Sequence, residues 1–504
     1  MFNRASPAEV VEGPRTVPAR DLTPAALRPA PQSGLYRTVW RWHFYAGLFT
    51  IPVIVLLCLS GITWLFRPQL DSVLYSHLTS VRQGTQVVSY DRQLAAVQRS
   101  YPESSIVSMD PPASGTSSTR FDIATKEGRN YSVFVDPYTG QVIGHRDNDR
   151  DPALIALKMH GSLMTESWLG DKKWGDGLIE IVASWAILLL ATGVYLWWPR
   201  GRLRGSLRGV VVPRTRDVRR RTFWRDLHAV TGVLFSFVAL FFLVTGMFWT
   251  GLFGTKYWDW GARLGSGYPP QVFQGVQSTR VEDLVKSGKP AWSVSRVPVP
   301  PSDPGDGKHH PSPNGNLQWD PRKGAPLDAV VARAQEAGFQ PGFTITMPAD
   351  EKGSYAIGNW PDVEGRPFQQ ASATQYAFVD QYTGELLGNY HHDGAGALAQ
   401  ASDLGIALHE GRQLGVVNQL LTLVAALAVL LSCATGVVMW LKRRPSGLGA
   451  PGRLQSRRAG LVVLGIAAAL GLLFPLLGLS LLVVVVVEFA VLRRVPPVAR
   501  FLGV

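Results

Sequence analysis

Cysteine is nearly absent from this chain: 504 residues carry two, Cys58 and Cys433, each in the middle of an apolar run. A disulfide framework, a CxxC redox pair and a thiolate-held zinc or iron–sulfur centre are therefore excluded. Charge is sparse too, at 17% of residues, with 37 Asp and Glu against 50 Lys and Arg. Inside the four main apolar segments the only charged side chain is Glu180, near a segment end, which argues against the mid-membrane charges of a transporter. No GxGxxG stands between a strand and a helix, as a flavin or nicotinamide site requires. What the chain has in quantity is apolar residues, 46% of the total, too many for a disordered chain. The net charge of +13 would suit nucleic acid, but the basic residues flank the apolar runs. They report membrane topology, and the chain has no nucleic-acid partner in this reading.

About 20 apolar residues at 1.5 Å each cross a bilayer core. Segments 44–66, 178–198, 229–250 and 416–441 meet that test. A fifth, 459–492, is too long for one span and is interrupted by Pro475 and Gly478, which predicts a helical hairpin. Ten arginines between 199 and 225 place that loop in the cytoplasm, and Arg37, Arg41, Lys442, Arg443, Arg444, Arg493 and Arg494 agree. The expected division is a disordered cytoplasmic arm (1–36), a first span (37–67), an extracytoplasmic module (68–175) and a second span (176–198). A basic cytoplasmic loop (199–222), a third span (223–250), a second extracytoplasmic module (251–415) and a fourth span (416–441) follow. A basic loop (442–458), the hairpin (459–492) and a cytoplasmic tail (493–504) complete the chain. The fold class is a membrane α-helical bundle, with four core spans in two parallel repeats plus the hairpin, carrying two extracytoplasmic α+β modules.

The repeat is legible as fixed-offset self-similarity. Trp40, His43, Gly47, Gly61 and Trp64 recur as Trp224, His228, Gly232, Gly246 and Trp249; from each histidine the offsets are four, eighteen and twenty-one. VDPYTGQVIG from Val135 recurs as VDQYTGELLG from Val379, His160 in KMHGSL is answered by His409 in ALHEGR, and ATGVYLWW by ATGVVMWL. Helix-like stretches at 90–99 and 327–338 precede strand-like YSVFVD and YAFVD, and Tyr-Thr-Gly is turn chemistry leading to a further strand.

Four of the ten histidines belong to the duplication. Equivalent residues can meet at a two-fold axis, and two facing neutral imidazoles are what a six-coordinate haem b requires. His43 with His228, and His160 with His409, thus form two candidate axial pairs for haem iron, one near each membrane face. Gly47 and Gly232, four residues after their histidines, share the histidine face and would bring backbone close to a flat macrocycle. Ser60-Gly61, Thr192-Gly193, Thr245-Gly246 and Thr435-Gly436 would open small-residue gaps at each level. The same residues also suit plainer roles: glycines and hydroxyls as helix-packing positions, histidines as interfacial or proton-relay groups. Arg41, Arg225 and Arg412 lie close enough in sequence to pair with haem propionates. His309, His310, His391, His392 and Asp393 cluster in the second module with no full counterpart in the first, and read as solvated loop residues that iron or a substrate could touch.

Together WRWHFYAGL, the exits of spans one and three, the VD-x-YTG hairpins and LHEGR resemble the PepSY-associated transmembrane family, over roughly residues 36–445. That family includes PiuB-like iron-regulated proteins and FoxB-like ferrisiderophore reductases. The resemblance implies external PepSY modules on four core spans. It also implies an enzyme, a haem-dependent ferric-chelate reductase of the bacterial inner membrane with two haems b, passing electrons outward to a ferric siderophore or other ferric chelate. The electron donor would be a quinol or a separate reductase protein. The hairpin at 459–492 departs from the family pattern. The alternative is a non-redox PepSY protein that binds or restrains extracytoplasmic peptidases, its spans serving only as anchors.

Overall fold

The computed structural model describes residues 34–198, 211–214, 216–267, 302, 324–350, 352–359, 370–443, 448, 457–490, 494, 495 and 497. The expected arm up to residue 33, much of the basic loop at 199–222, His309 and His310 lie outside the described residues.

Among the described residues three helices are long and apolar enough to cross a membrane: α1 (Gly34–Leu65), α4 (Lys173–Trp197) and α10 (Val416–Arg443). The expected third span is instead two helices, α5 (Arg221–Leu234) and α6 (Ser236–Met247), bent by 56° at Phe235; counted as one, they make a fourth candidate. Gly232 lies one turn before the bend and Ser236 directly after it, the pairing of residues at which helices commonly kink. The Ser236 hydroxyl donates to the Val233 carbonyl at 2.8 Å, a local bond that competes with the helical ladder where the chain turns. α1 packs on α4 and α5 on α10, and α1–α10 and α4–α6 contacts close the ring. The apolar stretch after residue 456 forms two helices broken before Pro475, α11 (Arg457–Leu473) and α12 (Pro475–Ala490). They approach closely where a Cβ on Gly471 would meet the Gly478 Cα at 2.9 Å. Phe474, Leu477 and Leu481 pack on Ala183, Trp185 and Leu188 of α4, and Trp185 Nε1 donates to Ser480 Oγ at 2.9 Å.

Beyond one end of the bundle lies an antiparallel sheet of eight strands in the order β4-β3-β2-β1-β5-β6-β7-β8. The first four are Ser104–Asp110, Thr119–Thr125, Asn130–Val135 and Val142–Asp147; the second four are Thr344–Thr346, Tyr355–Gly358, Gln375–Val379 and Leu386–His391. Where two modules are expected, β1 pairs with β5 (Ser108 with Thr346, Met109 with Ile345) and one sheet results. α2 (Tyr90–Ser100) and α8 (Leu327–Glu336) cover one face with a shared core of Val97, Phe121, Val133, Val330, Ile345 and Val379. The two helices meet head to head. Asp328 accepts the backbone N–H groups of Tyr90 and Asp91, and Asp91 accepts those of Leu327 and Asp328, each carboxylate capping the other helix.

Both hairpins follow one local rule. Asp136 Oδ1 accepts the N–H groups of Tyr138 and Thr139 while Gly140 takes φ +72°; Asp380 does the same for Tyr382 and Thr383, with Gly384 at φ +67°. Only glycine holds that conformation without strain, which explains the repeated Tyr-Thr-Gly. From the two strand arrays the chain returns through α3 (Pro152–Ser162) and α9 (Ala397–His409) to α4 and α10, while α7 (Gly251–Arg263) follows α6. Glu180, fully buried in α4, accepts the Leu252 and Phe253 N–H groups and caps α7.

Candidate functional site

The bundle encloses a cavity of about 970 Å³ that runs from Trp40 and Arg443 at the arginine-rich end to Trp64 and Trp249 at the sheet end. All four duplicated histidines line it. His43 of α1 faces His228 of α5 with ring centres 6.3 Å apart, and His160 of α3 faces His409 of α9 at the same 6.3 Å, the rings crossing at 79° and 81°. His160 packs against Gly61, eighteen residues along α1 from His43, so the two levels stand about 27 Å apart along that helix.

Each imidazole is oriented by the helix beside it. His43 Nδ1 lies 3.0 Å from Thr192 Oγ1, and His409 Nδ1 lies 2.8 Å from Thr245 Oγ1. His228 Nδ1 meets the Ser432 carbonyl at 3.0 Å and Thr435 Oγ1 at 3.2 Å, and His160 Nδ1 meets the Leu57 carbonyl at 2.8 Å and Ser60 Oγ at 3.3 Å. All four hydroxyls donate their own proton back along the helix: Ser60 to Leu56, Thr192 to Leu188, Thr245 to Phe241 and Thr435 to Leu431. They can only accept from the imidazole. The proton therefore sits on Nδ1, and Nε2 carries the lone pair. His409, in the helix before the last span, is pushed down to about 3 by burial and by His160 beside it, so it stays neutral.

Glycine does a different job here from the one expected. A Cβ on Gly61 would meet His160 Cε1 at 3.0 Å, on Gly193 His43 at 3.2 Å, on Gly246 His409 at 3.5 Å and on Gly436 His228 at 3.6 Å. The hydroxyl-glycine dipeptides thus receive the imidazoles themselves: the glycine makes room for the ring and the hydroxyl fixes its tautomer. Sequence reasoning had picked out these dipeptides without giving Ser60, Thr192, Thr245 or Thr435 that part; the signal was their depth, matching the histidine of the next helix. Gly47 and Gly232 also line the cavity, and a Cβ on either would meet only one atom, at 3.8 and 3.7 Å.

The arginines fall out differently. Arg225 lines the arginine-rich end but its guanidinium is engaged by buried Asp226, 2.6 Å away. Arg41 lies over the Tyr45 ring, 5.2 Å from its centre, and Arg412 pairs with Glu410 at 2.5 Å. In the sheet domain His392 Nδ1 meets Asp403 at 3.0 Å, while His391 and Asp393 are exposed. Among the described residues no three His, Cys, Asp or Glu side chains converge as a metal cage.

A helical bundle with candidate membrane spans, two buried imidazole pairs in one cavity and an antiparallel sheet beyond it define an integral membrane protein. The chain belongs to the family described as the PepSY-associated TM region, whose sequence model matches residues 40–443, well over half of the chain. No curated protein matches it.

Proposed function

We propose that the protein is a di-haem b-type membrane oxidoreductase that reduces a ferric siderophore or another ferric chelate for iron uptake. In this reading four core spans form two parallel repeats in a bacterial inner membrane, the arginine-rich end is cytoplasmic, and the sheet, built of two PepSY-like modules, lies outside. The observation that carries it is the spacing of the imidazoles. Two metal–nitrogen bonds of about 2 Å, plus roughly 1.2 Å from each nitrogen to its ring centre, sum to about 6.4 Å. Both pairs stand at 6.3 Å, with the Nδ1 atoms tied back and the Nε2 atoms available.

Iron porphyrin held there supplies reversible one-electron transfer. The chain's own residues bind and orient: His43 and His228 at one level, and His160 and His409 at the other, present lone pairs to a shared centre. Thr192, Thr435, Ser60 and Thr245 hold the tautomers through second-shell bonds of the kind that set ligand basicity. Gly47 and Gly232 leave the helix surface low enough for a flat ring. Apolar walls from Ile51, Leu189, Phe242 and Val429 keep the cavity poor in polar groups. Ligand hardness suits that substrate class, since siderophore oxygens grip Fe(III) well and Fe(II) poorly, so one electron frees the metal. A quinol or a separate reductase protein supplies that electron.

The test is a visible spectrum of detergent-purified protein expressed with ample haem. The expected reduced-minus-oxidised difference has b-type bands amounting to two haems per chain, discharged by a ferric siderophore. A spectrum without such bands overturns the reading and leaves a non-redox role for the sheet domain, such as binding extracytoplasmic peptidases.

A further inference from the structure

Four guanidinium groups line the arginine-rich end of the cavity, and they are not equivalent. Arg214 and Arg225 converge on Asp226, which is 1% exposed: Arg214 contributes Nε at 2.9 Å and a terminal nitrogen at 2.8 Å, and Arg225 a terminal nitrogen at 2.6 Å. Those two cations share one buried anion. Arg221 and Arg443 form no ion pair with a carboxylate among the described residues. Both line the same end of the cavity. Arg443 is held over the Trp40 ring at 4.3 Å, and Arg221 opens α5, whose first turn has no side-chain cap.

Their register ties them to the histidines. Arg221 precedes His228 by seven residues, and Arg443 follows by seven the glycine, Gly436, against which His228 packs. Seven residues are close to two helical turns, so each arginine shares the face of its reference residue and lies about 10 Å nearer the arginine-rich end. In the sequence repeat, RTVWR (37–41) aligns with RTFWR (221–225), so Arg221 answers Arg37, and ATGVYLWW against ATGVVMWL makes Arg443 answer Arg200. At the sheet end the only charged side chain lining the cavity among the described residues is Glu410, already paired with Arg412.

Two like-charged guanidinium groups at the mouth of an apolar cavity call for an anion between them. We propose that Arg221 and Arg443 form a carboxylate clamp that takes the acidic side groups of a macrocycle gripped by His43 and His228. The clamp rests on the haem reading above and fixes which edge of that ring points to the arginine-rich end. Arg225, the sequence-level candidate, serves by holding Asp226.

The test uses the full-length protein, stripped of haem in detergent and titrated with haem b or with haem b dimethyl ester, whose acidic groups are blocked. Wild type is expected to bind the ester about tenfold more weakly at one of its two sites, the loss of one charge-assisted contact. Arg221→Gln with Arg443→Gln should bind haem b about tenfold more weakly at that site and no longer discriminate. Arg221→Lys with Arg443→Lys should restore discrimination, and Arg219→Gln, a basic-end residue outside the cavity, should leave it intact. Equal binding of haem b and ester by wild type overturns the clamp. If anionic lipid then weakens binding at that site, the occupant is a lipid phosphate instead. Failure of wild type to bind either porphyrin overturns the haem reading and the clamp together.

Discussion

The two halves of this molecule keep the same chemistry and differ in how tightly they pack around it. Each half sends one histidine to each level and seats it on its own hydroxyl-glycine dipeptide. In the first half the virtual Cβ contacts are 3.0 Å at Gly61 and 3.2 Å at Gly193; in the second they relax to 3.5 Å at Gly246 and 3.6 Å at Gly436. The sheet diverges further. On its bundle-facing side the first half buries Arg120 with Asp110 and Asp122, and Arg146 within 3.9 Å of Asp71 and 3.8 Å of Asp151. By register and repeat offset, the second half has Ala356, Gly358 and Tyr390 where Arg120, Asp122 and Arg146 stand. The matching positions of the two halves share the imidazole, its acceptor and its glycine, while Arg120, Asp122 and Arg146 have uncharged residues opposite them.

The comparison breaks most plainly at the histidines. On the proposed di-haem reading, His228→Ala and His160→Ala should each remove about half of the haem, from different levels; a variant that keeps the full amount shows its imidazole is no ligand. Next in size is the buried ion network. Asp122→Ala should lower the unfolding free energy by about 3 kcal/mol, because Arg120 loses a buried partner. Substituting Gly358 by Ala at the equivalent site of the second half should cost far less, and comparable losses in denaturant melts would remove the contrast. Gly61→Ala should weaken haem binding at the His160 level about tenfold by displacing the imidazole. Gly246→Ala should leave binding near wild type, and equal effects in a haem titration would show that both halves pack alike.

The smallest effect is a pair of opposed pH dependences. Burial alone would raise Asp122, but Arg120 and the Ser132 hydroxyl hold it below the usual carboxylate range. Its stabilisation is present above the unfolded value near 4 and is lost as pH falls through the lowered one. Asp91, at the seam between the halves, is raised by burial and by its hydrogen bond with Asp328. Its contribution is full below about pH 4 and is lost as pH rises through the raised value. Asp91→Asn should therefore flatten the decline in melting temperature on the alkaline side of pH 4 while leaving the acid limb, and an unchanged profile would exclude the seam as its source.

Much of the fold was legible because its signals are local. Apolar run length marked the spans, helix starts at Tyr90 and Leu327 were read correctly, and the Asp-x-Tyr-Thr-Gly hairpins form as their turn residues require. β1, β2, β5 and β6 escaped notice: β5 is only Thr344–Thr346, and β2 carries Arg120 and Asp122, charges that disguise a buried strand until their partners are known. The bend at Phe235 was illegible because glycines and hydroxyl residues recur along the other spans without breaking them. At the site, offsets of four, eighteen and twenty-one found the histidines and glycines, whereas the arginines chosen by closeness in sequence proved to have other neighbours.

By itself the sequence determined which segments can enter lipid, and that motifs recur at fixed offsets with matching histidines, since these depend on composition and spacing along one chain. Only the tertiary structure decided that the sheet is continuous across β1 and β5, that each imidazole faces its repeat partner at 6.3 Å, and that Asp226 takes Arg214 and Arg225 while Arg221 and Arg443 turn to the cavity. Those outcomes hang on contacts between residues far apart in the chain, where packing and competition for partners, rather than local preference, select the neighbour.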